Sequence, residues 1–144
     1  MRRRSEHPRA TVLVVDDDEA IVELVTEALC DEGYAVTVLR YASIETIQEA
    51  VARHRPDCLL LDGGSSSGYE HSWETAALMS ALSSPIPVIM FTAHTGDFAE
   101  AKAHVSERSQ AAGFAALLSK PFELRRLFDA VASAIGTPDT SNME

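Results

Sequence analysis

Four short apolar runs in this chain each end directly at a polar residue, and this pattern constrains the fold more than any other feature. The runs occupy residues 12–15, 58–61, 88–91 and 115–118. The polar residues that follow them, in the same order, are Asp16 and Asp17, Asp62, Thr92, and Ser119 with Lys120. Apolar runs of this length, bounded by polar residues, are typical of buried parallel strands.

Helical patterns separate these runs. Helices are predicted to start near Asp18 and Ser43, both good N-cap residues, and to cover about 18–31 and 43–54. Three more are predicted at about 69–82, 97–111 and from Pro121 to just before Gly136. A further strand is predicted at 35–39. Five strands therefore alternate with five helices, which indicates an α/β fold with a parallel sheet covered by helices on both faces. We expect the doubly wound, flavodoxin-like strand order 2-1-3-4-5.

Composition excludes several classes of protein. The net charge is −10, from 12 basic and 22 acidic residues, and such a surface repels nucleic acid. The apolar stretches are shorter than the ~20 residues of a membrane helix, and the basic start of the chain is not followed by a signal-peptide core. Two cysteines do not make a disulfide framework. We expect one cytoplasmic domain at 11–135, with a flexible basic tail at 1–10 and a flexible tail at 136–144.

The polar residues at the strand ends suggest a reaction. In an open α/β sheet, ligands bind beyond the carboxyl ends of the strands, so Asp16, Asp17 and Asp62 are expected to converge. Clustered carboxylates repel one another, and a hard divalent cation such as Mg²⁺ removes that cost. An N-terminal helix cap would also account for acidic residues at 16–18, but it leaves Asp62 unexplained. An Asp carboxylate can attack phosphorus, with Thr92 and Lys120 stabilising the phosphoryl oxygens.

Four motifs give the chain a resemblance to the receiver domain of bacterial two-component response regulators over about residues 11–135. They are VLVVDDDEAI at 12–21, DCLLLD at 57–62, PVIMFTA at 87–93 and LLSKPFEL at 117–124. The resemblance implies that Asp16 and Asp17 serve Mg²⁺, for which Mn²⁺ could substitute, and that the Gly64 carbonyl completes the metal shell. It implies that Asp62 accepts a phosphoryl group from a histidine kinase or a histidine phosphotransfer protein. Thr92 and Lys120 would bind that group and link it to the conformational switch.

The chain departs from the family pattern in three places. The stretch from Gly63 to Glu70 contains three serines and lacks the usual Met-Pro. Leu117 stands where the family often has an aromatic switch residue. The interval between Thr92 and Lys120 is several residues longer than expected.

Three functions remain open from the sequence. The first is a single-domain receiver without a DNA-binding domain, acting on an unknown protein target as a monomer or a weak, phosphorylation-dependent dimer. It would not be an enzyme beyond its own phosphorylation and dephosphorylation. The second is a pseudo-receiver that binds partners without being phosphorylated. The third is a phosphatase of the haloacid-dehalogenase type with Asp16 as nucleophile. Such enzymes need a further acidic pair at a strand end after the lysine, and this chain has none after Lys120.

Overall fold

The computed structural model describes residues 10–40, 43–62, 72–92, 95–119 and 122–136. Two predicted site residues, Gly64 and Lys120, lie outside these ranges, as do most of the two predicted tails and the serine-rich loop at 63–68. The predictions made for them stay predictions.

Five parallel strands form one sheet in the order β2-β1-β3-β4-β5, which confirms the predicted fold. The strands are β1 (Thr11–Val15), β2 (Ala35–Leu39), β3 (Cys58–Asp62), β4 (Val88–Thr92) and β5 (Ala116–Ser119). The helices are α1 (Glu19–Asp31), α2 (Ile44–His54), α3 (Ser72–Ser80), α4 (Thr95–Ala103), α5 (Glu107–Ala112) and α6 (Leu124–Ile135). No helix within the described ranges is long and apolar enough to cross a membrane.

The prediction of one continuous helix at 97–111 is wrong, because two helices occupy this part of the chain. His104 follows α4 with φ of 57°, a left-handed conformation that ends the helix. Ser106 then caps α5, its hydroxyl accepting a hydrogen bond from the Ser109 backbone N–H at 3.1 Å. The long interval between β4 and β5 therefore accommodates an additional short helix.

Other predicted boundaries shift by one to three residues. α6 begins at Leu124 rather than at Pro121, because the Glu123 carbonyl accepts the first helical hydrogen bonds. α3 ends at Ser80, two residues before the predicted end. β5 begins at Ala116, one residue after the predicted start at Ala115. The N–H of Ala115 still donates a hydrogen bond to the Val88 carbonyl of β4 at 2.8 Å.

Alternating side chains of the strands fill two separate cores, one on each face of the sheet. In β3, Cys58 and Leu60 belong to the core beneath α1 and α6, whereas Leu59 and Leu61 belong to the core beneath α2, α3, α4 and α5. All four side chains are fully buried. Each fully buried leucine contributes about 1.5–3 kcal/mol relative to an exposed one. Burial on both faces therefore fixes the register of β3, and with it the position at which the strand ends.

Candidate functional site

The adjacency of β1 and β3 brings three carboxylates together at the carboxyl edge of the sheet. Val15 pairs with Leu61 in the parallel register, so the next residue of each strand, Asp16 and Asp62, lies at the same level. Carboxylate oxygens of Asp16, Asp17 and Asp62 all lie within 4.8 Å of one another. The convergence that the sequence pattern predicted is therefore present in the structure.

Two of these carboxylates are removed from solvent. Asp16 is 2% exposed and Asp62 is 4% exposed, whereas Asp17 is exposed. Burying a charge is costly unless it is paired or hydrogen-bonded. Part of this cost is offset at Asp16, whose Oδ1 accepts a hydrogen bond from the Asp18 backbone N–H at 2.9 Å.

Helix capping at α1 is carried out by Asp18. Its Oδ1 accepts hydrogen bonds from the N–H groups of Ala20 at 3.0 Å and Ile21 at 3.3 Å. The cap therefore accounts for the third acidic residue after β1, but it does not account for the approach of Asp16 and Asp17 to Asp62.

The donor set fits a hard divalent cation. Among the described residues it consists of carboxylate oxygens, the ligands that Mg²⁺ and Mn²⁺ prefer, and one of its members, Asp17, is exposed. At about 5 Å and an effective dielectric of about 20, each like-charged pair costs roughly 3 kcal/mol. Asp16, Asp17 and Asp62 would hold the ion, and it would remove that repulsion.

β4 places Thr92 beside this acidic cluster. Asp62 pairs with Phe91 in the register of β3 and β4, so Thr92 lies one residue further along the neighbouring strand. Thr92 is 1% exposed and in turn pairs with Ser119 of β5. A buried hydroxyl group thus stands next to the strand end that carries Asp62.

Comparison with known proteins identifies the family. The model of the response regulator receiver domain matches residues 12–132. The chain belongs to this family. Receiver domains are components of two-component systems, and the acidic pocket of this one is compatible with metal binding.

Several relatives of this receiver domain are known. The transcriptional regulatory protein YvrH of Bacillus subtilis is 33% identical over 90 residues, which are 61% of this chain and 35% of YvrH. The chain thus spans about a third of the length of that relative. A putative response regulator from Chloroflexus aurantiacus is 27% identical, with a TM-score of 0.70 over 90% of this chain and 98% of that one. Full-length FixJ from B. japonicum is 26% identical, with a TM-score of 0.73 over 95% of this chain and 62% of FixJ.

Leu117, predicted to occupy the switch position of this receiver domain, lies on β5 opposite Met90. It is half-buried and packs against the core beneath α2, α3, α4 and α5. An aliphatic side chain held in a core offers no aromatic ring to move between buried and exposed positions. The role of Leu117 in switching stays a prediction.

The α4–α5 corner and its contacts were not predicted from the sequence. The signal that was available is Ser106 followed at once by Glu107, a polar N-cap with an acidic first turn. The left-handed conformation of His104 carries no comparable signal, because it is uncommon for any residue other than glycine.

Proposed function

We propose that this receiver domain accepts a phosphoryl group on Asp62 from the phosphohistidine of a sensor kinase or phosphotransfer protein, in a Mg²⁺-dependent reaction. The observation that carries the proposal is the convergence of Asp16, Asp17 and Asp62 within 4.8 Å, with Asp62 almost fully buried. One carboxylate at the end of a strand is thus held beside two others that can share a cation with it.

The reaction needs a nucleophile and a means of neutralising charge. A carboxylate oxygen of Asp62 would form a bond to phosphorus while the bond from phosphorus to the histidine nitrogen breaks, leaving an acyl phosphate and a free imidazole. When bound, Mg²⁺ would supply positive charge to the carboxylates and the phosphoryl oxygens. The Thr92 hydroxyl and the Lys120 ammonium would donate hydrogen bonds to those oxygens.

The biological role that goes with this chemistry is signalling through protein contact. Phosphorylation would change the affinity for a downstream protein, and the chain would catalyse only its own phosphorylation and dephosphorylation. The cytoplasm is the expected location, because ATP is available there to the kinase.

Acetyl phosphate tests the proposal directly. Incubation with acetyl phosphate and Mg²⁺ is expected to add one phosphoryl group, detected as a mass increase of the intact protein. Asp62→Asn should remove the label, because an amide is not a nucleophile of this kind. Asp129→Asn, which removes an exposed carboxylate on α6, should label like the wild type.

Two other outcomes would point elsewhere. Labelling that survives in Asp62→Asn and disappears in Asp16→Asn would indicate a nucleophile of the haloacid-dehalogenase type. Wild-type protein that is labelled neither by acetyl phosphate nor by a panel of phosphorylated kinases would be a pseudo-receiver.

A further inference from the structure

The strand β2 forms one edge of the sheet, and its outer side is not paired with another described strand. The Ala35 N–H donates to the Ala10 carbonyl at 2.9 Å, so the backbone groups of Ala35 point towards β1. Because this direction alternates along a strand, the N–H and C=O groups of Val36 and Val38 point away from β1. Two residues of β2 therefore offer hydrogen-bonding groups at the open edge.

The sequence of β2 lacks the features that usually protect an edge strand. Its five residues, AVTVL, include no charged residue and no proline, and all five are half-buried. Natural proteins cover such an edge or blunt it with charge, proline or a bulge, because otherwise it pairs with another chain. An extended segment that lies along β2 is the occupant that suits this edge.

A groove of about 640 Å³ lies between β2 and α1. Val22 and Val38 line it, together with Thr26, whose hydroxyl oxygen is buried without a hydrogen-bond partner among the described residues. Glu23 and Glu27 also line the groove, one helical turn apart, and both are exposed. A segment lying along β2 would therefore contact an apolar surface and two carboxylates.

The charge of α1 favours a basic occupant. The helix contains four acidic residues at intervals of four, Glu19, Glu23, Glu27 and Asp31, and no lysine or arginine. Arg40 forms an ion pair with Glu19 at 3.0 Å, but no cation within the described ranges pairs with Glu23 or Glu27. Like charges one turn apart repel each other. A second copy that paired through β2 would bring another acidic α1 to this place, so the charge disfavours it.

A basic segment of this chain begins next to the groove. Residues 1–9, which precede the described part of the chain, contain four arginines and one glutamate. The segment joins the sheet at Ala10, whose carbonyl bonds to the start of β2. Nine extended residues span up to about 30 Å. Passing outside β2 takes about 10 Å and following its five residues takes about 17 Å, so the segment is long enough to reach the whole groove.

We propose that residues 1–9 bind in this groove as an added strand, antiparallel to β2, with arginine side chains at Glu23 and Glu27. Side chains two residues apart on a strand share a face and lie about 7 Å apart, so Arg2 and Arg4 match two carboxylates one helical turn apart. The segment would cover the open edge and keep β2 from pairing with another chain. This docking does not depend on phosphorylation of Asp62.

Residue-resolved amide hydrogen exchange of the full chain tests the docking. The N–H groups of Val36 and Val38 should be protected in the wild type, because the added strand accepts their hydrogen bonds. In the variant Arg2→Glu with Arg4→Glu they should exchange about tenfold faster, since the segment is repelled from α1. The Thr37 N–H, which points towards β1, is the reference. Its unchanged protection shows that each variant is folded.

Exchanging the charges across the groove gives a rescue test. Glu23→Arg with Glu27→Arg should also deprotect the two amides, and combining these changes with the two arginine substitutions should restore protection. Glu45→Arg with Glu49→Arg is the matched control, because these carboxylates are exposed and one turn apart on α2, on the opposite face of the sheet. This control should leave the exchange of both amides unchanged.

Two results would overturn the docking. The first is fast exchange of the Val36 and Val38 amides in the wild type, at the same rate as in the arginine variant. The second is protection that is retained when Arg2 and Arg4 are replaced. If that protection increases with protein concentration, the edge is occupied by a second copy instead of by residues 1–9.

Discussion

The first side chain of β3, Cys58, shows how strongly burial controls the ionisation of a thiol. Cys58 and Asp62 are the first and last residues of the same strand, and both are buried. Burial raises the pKa of the Cys58 thiol from 9.0 to about 12, and the negative charge of Asp57 adds to this effect. The thiol therefore stays neutral as part of the apolar core, whereas the carboxylate four residues later belongs to the acidic cluster with Asp16 and Asp17.

This raised pKa predicts that alkaline conditions destabilise the fold through Cys58. Between pH 9 and pH 12 the thiol ionises in the unfolded chain but not in the folded one, so unfolding releases a proton there. The contribution of Cys58 to stability is present in full below pH 9 and is lost as the pH rises towards 12. Cys58→Val cannot ionise and should gain roughly 2 kcal/mol relative to wild type between pH 8 and about pH 10.5.

Urea unfolding of both proteins at the two pH values measures this difference, and any packing cost of the valine cancels in the comparison. If the free energies of unfolding of the two proteins differ by the same amount at both pH values, the pKa of Cys58 is not raised in the folded state.

At the scale of elements, helix starts were predictable where a polar cap precedes an apolar pattern. Ser43 caps α2, accepting a hydrogen bond from the Thr46 N–H at 3.1 Å, as its sequence position suggested. The break between α4 and α5 was not predicted, because it depends on a left-handed His104 that side chains of α5 contact. Helical periodicity indicates which face of a helix is buried, but a single left-handed residue does not change that periodicity.

The capping role of Ser43 can be measured. Ser43→Ala should lower the free energy of unfolding by about 1 kcal/mol, because the Thr46 N–H loses its acceptor. Ser43→Asp should retain most of the wild-type stability, since a carboxylate also caps and interacts favourably with the helix N-terminus. Chemical denaturation gives the free energies, and equal losses in both variants would assign the effect to something other than capping.

At the scale of the whole molecule, the fold and the acidic part of the site were predictable from one pattern, the apolar runs that end at polar residues. Alternating strands and helices predicted the parallel sheet, and the adjacency of β1 and β3 then brought Asp16, Asp17 and Asp62 together. Lys120 was predicted from the same strand-end pattern and Gly64 from family resemblance, and both lie outside the described residues. Geometry supplied by a sheet can be predicted from periodicity, whereas geometry supplied by loops depends on local detail that periodicity does not contain.

The acidic site should limit the stability of the entire domain until a cation binds. At a hundredfold excess of Mg²⁺ over its dissociation constant, binding stabilises the folded state by about 2.7 kcal/mol, which corresponds to a melting temperature several degrees higher. Asp17→Asn should raise the melting temperature in EDTA by relieving repulsion, and it should abolish most of the Mg²⁺ response.

Thermal unfolding with Mg²⁺ and with EDTA tests this expectation. Asp129→Asn removes the same charge from an exposed position on α6 and should keep the full Mg²⁺ response. If Asp17→Asn melts below the wild type in EDTA and still responds fully to Mg²⁺, Asp17 has a structural role and the cation site lies elsewhere.

The direct register of β1 with β3 also bears on how this protein can change during evolution. Inserting one residue into β3 would move Asp62 out of line with Asp16, and it would also turn Leu59 and Leu61 towards the opposite core. A mutation that displaces the acidic cluster in this way therefore carries its own penalty in folding. New partners are more readily acquired through changes in helices and connections than in strands, so that specificity can diverge while the chemistry stays in place.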